Sequence, residues 1–438
     1  MIDLKLALIS DPHLGAKWGT PREQDSFDQF REAIERSIEL GAQLILILGD
    51  IFDTRIPRQE VWAQALRILS LPLAHGRNSV RLVRIIDKDP GEISPLSLRG
   101  IPVVALHGNH ERRTRGLTNP VEALEAAGLL IHLHHNSLVF EEGDQRVAVH
   151  GMSNVPEQYA SKVLSMWNPK PVEGAFNILA LHQSIGQYVY SGEETPTLDV
   201  SDLPPGFDLY LCGHIHYRSE SSAHGRPLIF PGSTERTQLI KVEAEIPKGF
   251  YLVEIGERLG LEFIELRTQR DFHYVEMKFD GATISEINKA VRKKVEELLR
   301  QPRRNDRKPP LIRIRLLGTL AKEASRSEFD DRAISDEFAD RAIVVIGKAD
   351  LQVPDLGEKV QLLRELREQR LSMDETAMCL LEESLRDAAH VSLFDVRSLY
   401  SLLVADRAEE ALQNIYRVVE SLVKADLERE KDDNAGQT

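Results

Sequence analysis

The sequence is poor in cysteine, which limits the chemistry open to it. Only two cysteines occur among 438 residues, Cys212 and Cys379, and no CxxC pair is present. This argues against a disulfide framework and against a thiolate metal site. We expect a reducing, cytoplasmic setting, and the acidic chain with its compact C-terminal region favours a prokaryotic source.

Long apolar runs and an excess of positive charge are also missing. No run approaches the roughly 18 residues that cross a bilayer, so we expect no membrane contact. The N-terminus, MIDLKLALISDPHLG, has no small-residue cleavage pattern, so we do not expect a signal peptide. The net charge of −14 does not indicate a polyanionic partner, although an acidic protein can still carry a local basic groove.

What the sequence does contain is an alternation of apolar strands and amphipathic helices over about its first 255 residues. Five mostly apolar segments predict strands buried on both faces: Leu4–Ser10, Gln43–Leu48, Ile101–Leu106, Asn177–Leu181 and Asp208–Cys212. Helices are predicted at about residues 24–40 and at Glu60–Leu71, and Phe250–Ile255 is expected to close the sheet. The alternation indicates an α/β layered core.

Further regions follow this first domain, which we place at residues 1–270. Residues 271–353 are predicted to form a small α/β domain, with a helix at Ile284–Leu299 between strands. Residues 354–427 are charged and carry apolar residues at helical spacing, which predicts a helical region. Residues 428–438 have the composition of a disordered tail.

Polar residues follow each of the five apolar strands, at the carboxyl ends where open α/β sheets bind ligands. Seven of them are candidate metal ligands: Asp11, His13, Asp50, Asn109, His182, His214 and His216. Carboxylate and amide oxygens mixed with imidazoles suit Mn²⁺, Fe²⁺ or Zn²⁺ better than a structural zinc site. Seven donors are too many for one ion and suit two, if one carboxylate bridges. Two ions about 3.5–4 Å apart can support phosphate ester hydrolysis.

The five motifs resemble those of the calcineurin-like metallophosphoesterase superfamily, D-x-H, GD, GNH(D/E), H and GHxH. They stand here in order as DPH, GD, GNHE, the histidine of ALHQS, and GHIH. The resemblance implies that Asp50 bridges two ions. It gives one ion Asp11, His13 and His216, and the other Asn109, His182 and His214. It also implies that His110 is catalytic, stabilising or protonating the leaving oxygen.

Within that superfamily, the chain resembles the Mre-eleven / SbcD family of DNA double-strand-break repair nucleases. The resemblance rests on ISDPHLG, GDIFDTRIP, PVVALHGNHE, FPGSTERTQL and KGFYLVEI. It implies a four-layer α/β sandwich of two packed β-sheets flanked by helices. A small α/β capping domain that binds DNA and a C-terminal helical segment would follow the sandwich.

The resemblance also implies an activity and partners. The activity is Mn²⁺-dependent phosphodiester hydrolysis, as a 3′–5′ exonuclease and endonuclease, on double-stranded DNA ends and hairpins. The partners are a second copy of the chain, joined through helices of the phosphoesterase domain, and a coiled-coil ABC-type ATPase of the Rad-fifty / SbcC type. Because the chain has no GxxxxGK[ST] motif, any ATP dependence must come from that ATPase. Residues 354–427 are the expected docking region.

Several basic residues are candidate DNA contacts, with ordinary solvated faces as the equal alternative. They are Arg112, Arg113 and Arg115 after the catalytic histidine, and Arg303, Arg304, Arg307 and Lys308 in the capping region. Residues 75–100 lengthen the spacing between two motifs and predict either a hairpin over the cleft, whose arginines touch DNA, or an inert loop. Other histidines, His107, His132, His134, His135 and His150, are expected to be ordinary core or surface residues.

Asp53 departs from part of the family. Some members have a histidine three residues after the bridging aspartate, whereas this chain has Asp53 there, as in the bacterial-type branch. The balance between exonuclease and endonuclease activity is therefore open.

Two other functions remain open at this point. A protein phosphatase or small-molecule phosphodiesterase of the same superfamily is one, because GDIFDTR and GNHERR are similar to the phosphatase motifs GDxxDRG and GNHE. Against it, phosphatases usually begin with GDxHG, whereas this chain has SDPHLG. The other is a scaffold that has lost the chemistry, which the presence of all seven candidate ligands and His110 disfavours.

Overall fold

The computed structural model describes residues 4–76, 79–114, 116–186, 188, 197–321, 324–352, 396–404 and 407–416. These residues divide into two compact units. The first is drawn from Met1–Met277, Ser285–Leu316 and Asp330–Lys348. The second is drawn from Lys278–Ile284, Leu317–Phe329 and Ala349–Thr438.

The elements within the described residues are numbered in chain order. The strands are β1 (Leu4–Ile9), β2 (Leu44–Ile47), β3 (Arg81–Ile86), β4 (Val103–Ala105), β5 (Ile131–His132), β6 (Asn136–Glu142), β7 (Gln145–Met152), β8 (Phe176–His182), β9 (Leu209–Gly213), β10 (Ser219–Ala223), β11 (Arg226–Phe230), β12 (Gly249–Ile255), β13 (Leu259–Glu265), β14 (Phe272–Ala282), β15 (Leu311–Leu320) and β16 (Ile343–Gln352). The helices are α1 (Asp25–Glu39), α2 (Gln59–Ala74), α3 (Pro120–Ala126), α4 (Ala160–Trp167), α5 (Lys241–Glu245), α6 (Ile284–Leu299), α7 (Asp331–Glu337) and α8 (Val396–Val404).

The first sheet has the strand order β13-β12-β1-β2-β4-β5. Strands β1, β2, β4 and β5 run parallel, and β12 pairs antiparallel with β1. The prediction that Phe250–Ile255 closes the sheet is wrong, because β13 pairs with the outer side of β12 and forms the edge. The sequence of β13 does carry a strand pattern, since Leu259, Leu261 and Phe263 recur at every second position and pack against the same core.

The second sheet has the strand order β10-β11-β9-β8-β7-β6-β3. Strands β7, β8 and β9 run parallel at its centre. The segment between residues 75 and 100 contributes β3, which pairs antiparallel with β6 at the sheet edge. The segment is therefore neither a hairpin over the cleft nor a plain loop, since it extends the second sheet by one strand.

Three apolar layers hold the sheets and helices together. Alternate residues of β1 point to opposite faces, so Ala7 and Ile9 pack with helices α1 to α3, whereas Leu6 and Leu8 face the second sheet. The central strands of the second sheet do the same, with Ile178 facing the first sheet and Leu179 packing with α4. This helix–sheet–sheet–helix order confirms the predicted four-layer α/β sandwich.

The α1 helix shows why these layers form where they do. Phe27, Phe30 and Ile34 are fully buried and recur every three or four residues, which gives the helix one apolar face. Asp25 and Asp28 occupy its first turn and Arg36 its last, in the order that the helix dipole favours.

A third sheet, with the order β14-β15-β16, follows after residue 271. Helix α6 has the predicted bounds and buries one stripe of apolar side chains, namely Ile287, Val291, Val295 and Leu298. The helical region predicted at 354–427 is described only at 396–404 and 407–416, and the predicted tail lies outside the described residues. No helix among the described residues is long and apolar enough to cross a membrane.

Candidate metal centre at the strand ends

The predicted ligands come from strand ends in two sheets rather than one. In the first sheet, Asp11 and His13 follow β1, Asp50 follows β2 and Asn109 follows β4. In the second sheet, His182 ends β8, and His214 and His216 follow β9. Because the strands within each set are parallel neighbours, their carboxyl ends lie side by side.

The structure brings all seven predicted ligands together in two groups that share Asp50. The ligand atoms of the first group lie within 4.8 Å of one another, and the group consists of Asp11, His13, Asp50 and His216. The second group consists of Asp50, His182 and His214. Asn109 joins the second group, since its Oδ1 lies 3.3 Å from His182 Nε2 and 3.1 Å from His214 Nδ1.

The backbone that presents these side chains is strained. Asp11, His13 and Asp50 each have a φ of 48°, and His214 has a φ of 79°. Left-handed conformations of this kind cost a non-glycine residue about 1–3 kcal/mol each and cluster at functional sites. Hydrogen bonds between loops support them, including one from His13 N to the carbonyl of Asp50 at 2.9 Å.

Glycines next to the ligands allow close approach. Gly49 has a φ of 96°, and a Cβ there would overlap the ring of His182. Gly108 has no positive φ, but a Cβ would overlap the carboxylate of Asp50. A sharp turn therefore requires glycine at position 49, whereas Gly108 is needed because Asp50 packs directly against it.

Backbone and carboxylate acceptors orient the imidazoles. His182 Nδ1 donates to the carbonyl of Leu48 at 2.6 Å, and His13 Nδ1 lies 3.2 Å from Asp53 Oδ1. Since a carbonyl and a carboxylate only accept, each Nδ1 carries the hydrogen. The Nε2 atom of each ring is thereby directed to the group of carboxylates, which is how metal-binding histidines are usually held.

The electrostatics of the cluster favour a bound cation. Burial raises the pKa of Asp50, but the neighbouring His182 and His13 outweigh this and hold it below the usual range. Burial lowers the pKa of His182, but the charges of Asp50 and Asp11 raise it to about 9. Asp50 Oδ2 lies 3.4 Å from His182 Nε2 but has no well-formed hydrogen bond among the described residues. A buried carboxylate oxygen without a well-formed hydrogen bond is costly, and a divalent cation satisfies it.

His110 lies at the rim of this cluster. Its side chain is 37% exposed. Its backbone N–H donates to Asp50 Oδ1 at 2.9 Å, and its ring Nδ1 donates to the backbone carbonyl of Asp53 at 2.8 Å. It stands outside both groups that share Asp50 but belongs, with His13 and Asp53, to a third group of possible ligand atoms, in which its Nδ1 lies 3.8 Å from Asp53 Oδ1. The Nε2 atom is therefore the one left for contact with a substrate.

Glu111 has a role that the motif pattern did not predict. Its two carboxylate oxygens accept from the N–H groups of Phe52 and Gly108, both at 2.9 Å. It thus ties the loop after β2 to the loop after β4. The side chain is fully buried, and burial together with the charge of Asp50 raises its pKa to about 8. Only the last letter of GNHE could have pointed to it.

The candidate DNA contacts in the first domain lie next to His110. Arg112 donates to Asn154 Oδ1 at 2.6 Å, and burial lowers its pKa. Arg113 is half-buried, and Arg115 lies outside the described residues.

Three of the four candidate contacts after residue 300 are engaged with acidic groups. Arg303 lies 3.4 Å from Asp306, and Arg304 lies 2.6 Å from Glu265. Lys308 pairs with Asp25 at 2.9 Å and with Asp28 at 2.7 Å. Its charge is therefore directed into the protein.

Four other histidines form a separate cluster, which we call the histidine cluster, at His107, His132, His134 and His135. His107 Nδ1 lies 2.9 Å from His132 Nε2. Burial lowers the pKa of His107 to about 4 and that of His134 to about 3. His107 and His132 are buried, in keeping with the expectation of ordinary core residues.

Comparison with known proteins places this geometry in a family. The model of the calcineurin-like phosphoesterase family matches residues 4–218. A DNA double-strand break repair protein Mre11 from Methanopyrus kandleri is 28% identical over 63% of this chain and 59% of its own length. A double-strand break repair protein MRE11 from Encephalitozoon cuniculi is 27% identical over 61% of this chain and 48% of its own length.

A solved structure of a dimetal phosphatase from Danio rerio is 14% identical to this chain. The match has a TM-score of 0.36 and covers 60% of this chain and 96% of that one.

The chain spans about half the length of the curated relatives that it matches. The matched region contains every residue of the two groups that share Asp50. Residues 4–218 therefore belong to the calcineurin-like phosphoesterase family, and the chain is a homologue of the Mre11 double-strand break repair proteins.

Proposed function

We propose that this protein is a DNA double-strand-break repair nuclease that hydrolyses phosphodiester bonds with two divalent metal ions, most readily Mn²⁺. The observation that carries the proposal is the sharing of Asp50 by two groups of ligand atoms. A single ion would need one group, whereas two groups joined by one carboxylate suit the two-ion hydrolysis of phosphate esters. The names of the relatives supply DNA as the substrate.

The ligand sets follow the two groups. Asp11, His13 and His216 would hold one ion, and Asn109, His182 and His214 would hold the other. Asp50 would contribute to both. Oxygen and imidazole donors without a thiolate suit Mn²⁺, and Fe²⁺ or Zn²⁺ accept the same donors.

The chain's own residues contribute positioning and a proton. The ions would supply Lewis-acid activation of water and of the phosphoryl group. His110 would contact the leaving oxygen through Nε2, because its Nδ1 is committed to the carbonyl of Asp53. A proton held at Nε2 would neutralise the charge that develops when the P–O bond breaks. The N–H of His110 would keep the Asp50 carboxylate in place.

The wider proposal includes partners and cleavage modes. We propose 3′–5′ exonuclease and endonuclease activity on double-stranded ends and hairpins, a homodimer, and residues 271–353 as a capping domain that binds DNA. A coiled-coil ABC-type ATPase would dock on the helical region at 354–427. Leu403, Leu412 and Tyr416 support this last point, because each exposes more than half of a large apolar side chain. DNA as substrate goes with a cytoplasmic, nucleoid-associated location in a prokaryote.

The proposal is tested by comparing substrates for the purified protein. Linear duplex DNA, a DNA hairpin, a phosphopeptide and a cyclic nucleotide are each incubated with Mn²⁺, and in parallel with EDTA. We expect shortening of the duplex and opening of the hairpin with Mn²⁺, and neither with EDTA. If the DNA stays intact while the phosphopeptide or the cyclic nucleotide is hydrolysed, the protein is a phosphatase or a small-molecule phosphodiesterase and not a nuclease.

A further inference from the structure

The sequence motif FPGSTERTQL has no part in the ligand sets above, although it lies close to them in the fold. Its first residue, Phe230, ends strand β11, which is the parallel neighbour of β9. Strand β9 carries the ligand loop with His214 and His216. The motif therefore leaves the sheet beside this loop, and two of its residues contact His216.

The first contact is with the imidazole of His216. His216 Nδ1 lies 2.6 Å from the hydroxyl oxygen of Thr237, which is a short hydrogen bond. His216 is only 5% exposed, so this bond is formed away from bulk water. With Nδ1 engaged by the hydroxyl, Nε2 faces the first group, where it lies 3.0 Å from His13 Nε2.

The second contact is with the backbone of His216. Its carbonyl oxygen accepts from the N–H of Ser233 at 3.0 Å and from Lys248 Nζ at 2.7 Å. Lys248 begins the second family stretch, KGFYLVEI. The two stretches of sequence that lacked a role thus meet at one residue of the candidate metal centre.

Lys248 is fixed firmly enough to act as a support. Its side chain is 3% exposed, and Nζ donates to His216 O, Ser233 Oγ and Glu243 Oε1, the last two at 2.8 Å. These three bonds use all three N–H groups of the ammonium. A buried, fully bonded cation of this kind holds its partners in one arrangement, because leaving any of them unpaired is costly.

We propose that Thr237 is a positioning residue for His216: its hydroxyl fixes the imidazole with Nε2 directed at the first ion, on a backbone that Lys248 and Ser233 hold. The proposal rests on the proposed function, since it takes His216 to be a metal ligand. Hydrogen bonds to the far nitrogen of a metal-binding histidine set its orientation and basicity. The stretch FPGSTERTQL marks this region in the sequence, but nothing in it indicates that Thr237 contacts a histidine 21 residues earlier.

The test compares Thr237→Val, which removes the hydroxyl at nearly constant shape, with Thr237→Ser, which keeps it. Mn²⁺ is titrated into metal-free protein by isothermal calorimetry, and thermal unfolding of the metal-free proteins checks the fold. We expect Thr237→Val to lower the affinity for one of the two Mn²⁺ ions by about 10- to 100-fold and to leave the affinity for the other unchanged. Thr237→Ser should bind both ions as the unaltered protein does. Thr237→Ala is the second variant, in case valine disturbs the packing, and it should weaken the same single ion.

Three results would overturn the inference. Thr237→Val and Thr237→Ala could bind both ions with unchanged affinity, or Thr237→Ser could bind as weakly as Thr237→Val. Equal weakening of both ions with a lowered unfolding temperature in all three variants would mean a merely structural residue. Failure of the proposed function looks different, since the unaltered protein would then bind fewer than two Mn²⁺ ions, and the inference would fall with it.

Discussion

Asp50 is the residue on which both groups of candidate ligand atoms depend. It is fully buried, adopts a strained backbone conformation and contributes to both groups of ligand atoms. Its Oδ1 accepts from His110 N, whereas its Oδ2 has no well-formed hydrogen bond among the described residues and lies 3.4 Å from His182 Nε2. A residue placed in this way cannot be replaced without affecting both groups at once.

The shared position of Asp50 gives a prediction about metal content. Asp50→Asn should lead to loss of both ions. A neutral amide is a weaker ligand than a carboxylate, and it lacks the negative charge and the second oxygen needed to bridge two cations. Asp11→Asn is the matched control, and it should weaken only the ion of the first group. Metal content after dialysis, measured by inductively coupled plasma mass spectrometry, checks both variants. Loss of a single ion in Asp50→Asn would contradict a bridging role.

His110 gives a second prediction at the residue scale. His110→Ala should lower DNA cleavage by about 100- to 10,000-fold, because the leaving oxygen loses its proton donor. Mn²⁺ content should stay the same, since His110 lies outside the groups that share Asp50. The exposed His75 supplies the control, and His75→Ala should cleave normally. Loss of metal in His110→Ala would make His110 a ligand instead.

At the scale of elements, the sequence predicted the strands that carry the ligands and missed several others. Strands β1, β2 and β8 are mostly apolar runs followed by polar motifs, so both their position and their role could be predicted. Strand β10 has the sequence SESSA and no apolar pattern, whereas β3, RLVRII, is apolar at four of its six positions but was interpreted as part of a hairpin or loop.

The division of the strands between two sheets could not be predicted from the sequence either. Which strands pair depends on contacts between segments far apart in the chain, and the apolar runs of β4 and β8 look alike. The supporting residues were hidden for the same reason. Glu111 acts on Phe52, which lies 59 residues away, and Lys248 acts on His216, 32 residues away. Only their places in the stretches GNHE and KGFYLVEI distinguish them from other glutamates and lysines, and these stretches do not indicate what they contact.

The loops after β2 and β4 depend on Glu111, which gives a prediction at this scale. Glu111→Ala should destabilise the protein by about 1–3 kcal/mol, because it removes both acceptors and leaves the buried N–H groups of Phe52 and Gly108 unsatisfied. Chemical unfolding of the metal-free protein measures this. Glu39→Ala is a control on an exposed residue at the end of α1, outside the centre. A free energy of unfolding equal to that of the unaltered protein would mean that Glu111 does not hold the two loops together.

The histidine cluster, at the junction of β4, β5 and β6, predicts a pH dependence. Burial and the neighbouring His135 and His107 lower the pKa of His134 to about 3. Above about pH 6.5 this histidine is neutral in both the folded and the unfolded state and contributes nothing. Below that pH the unfolded state binds the proton first, so stability falls as the pH falls towards 3.

The size of this effect can be measured with one substitution. At pH 5 the cost from His134 is on the order of 1–2 kcal/mol. Urea unfolding in EDTA at pH 7 and pH 5 should therefore show a smaller loss of stability for His134→Asn than for the unaltered protein. An equal loss in both proteins would mean that His134 is already protonated in the folded state at pH 5.

At the scale of the whole molecule, the proposed docking of an ATPase subunit involves a region of the chain that comes after all the candidate metal ligands. Deleting the chain from about residue 371 onward should abolish binding of the ATPase subunit while leaving Mn²⁺-dependent cleavage in place, because every candidate ligand lies before residue 217. Co-purification with the ATPase encoded in the same genome tests the binding. Unchanged binding after the deletion would move the docking region elsewhere.

The central claim, two ions held on either side of Asp50, is tested most directly by anomalous diffraction. Crystals grown with Mn²⁺ and measured at the manganese absorption edge should show two anomalous peaks about 3.5–4 Å apart, one on each side of the Asp50 carboxylate. A single peak, or two peaks of which neither contacts Asp50, would contradict the account.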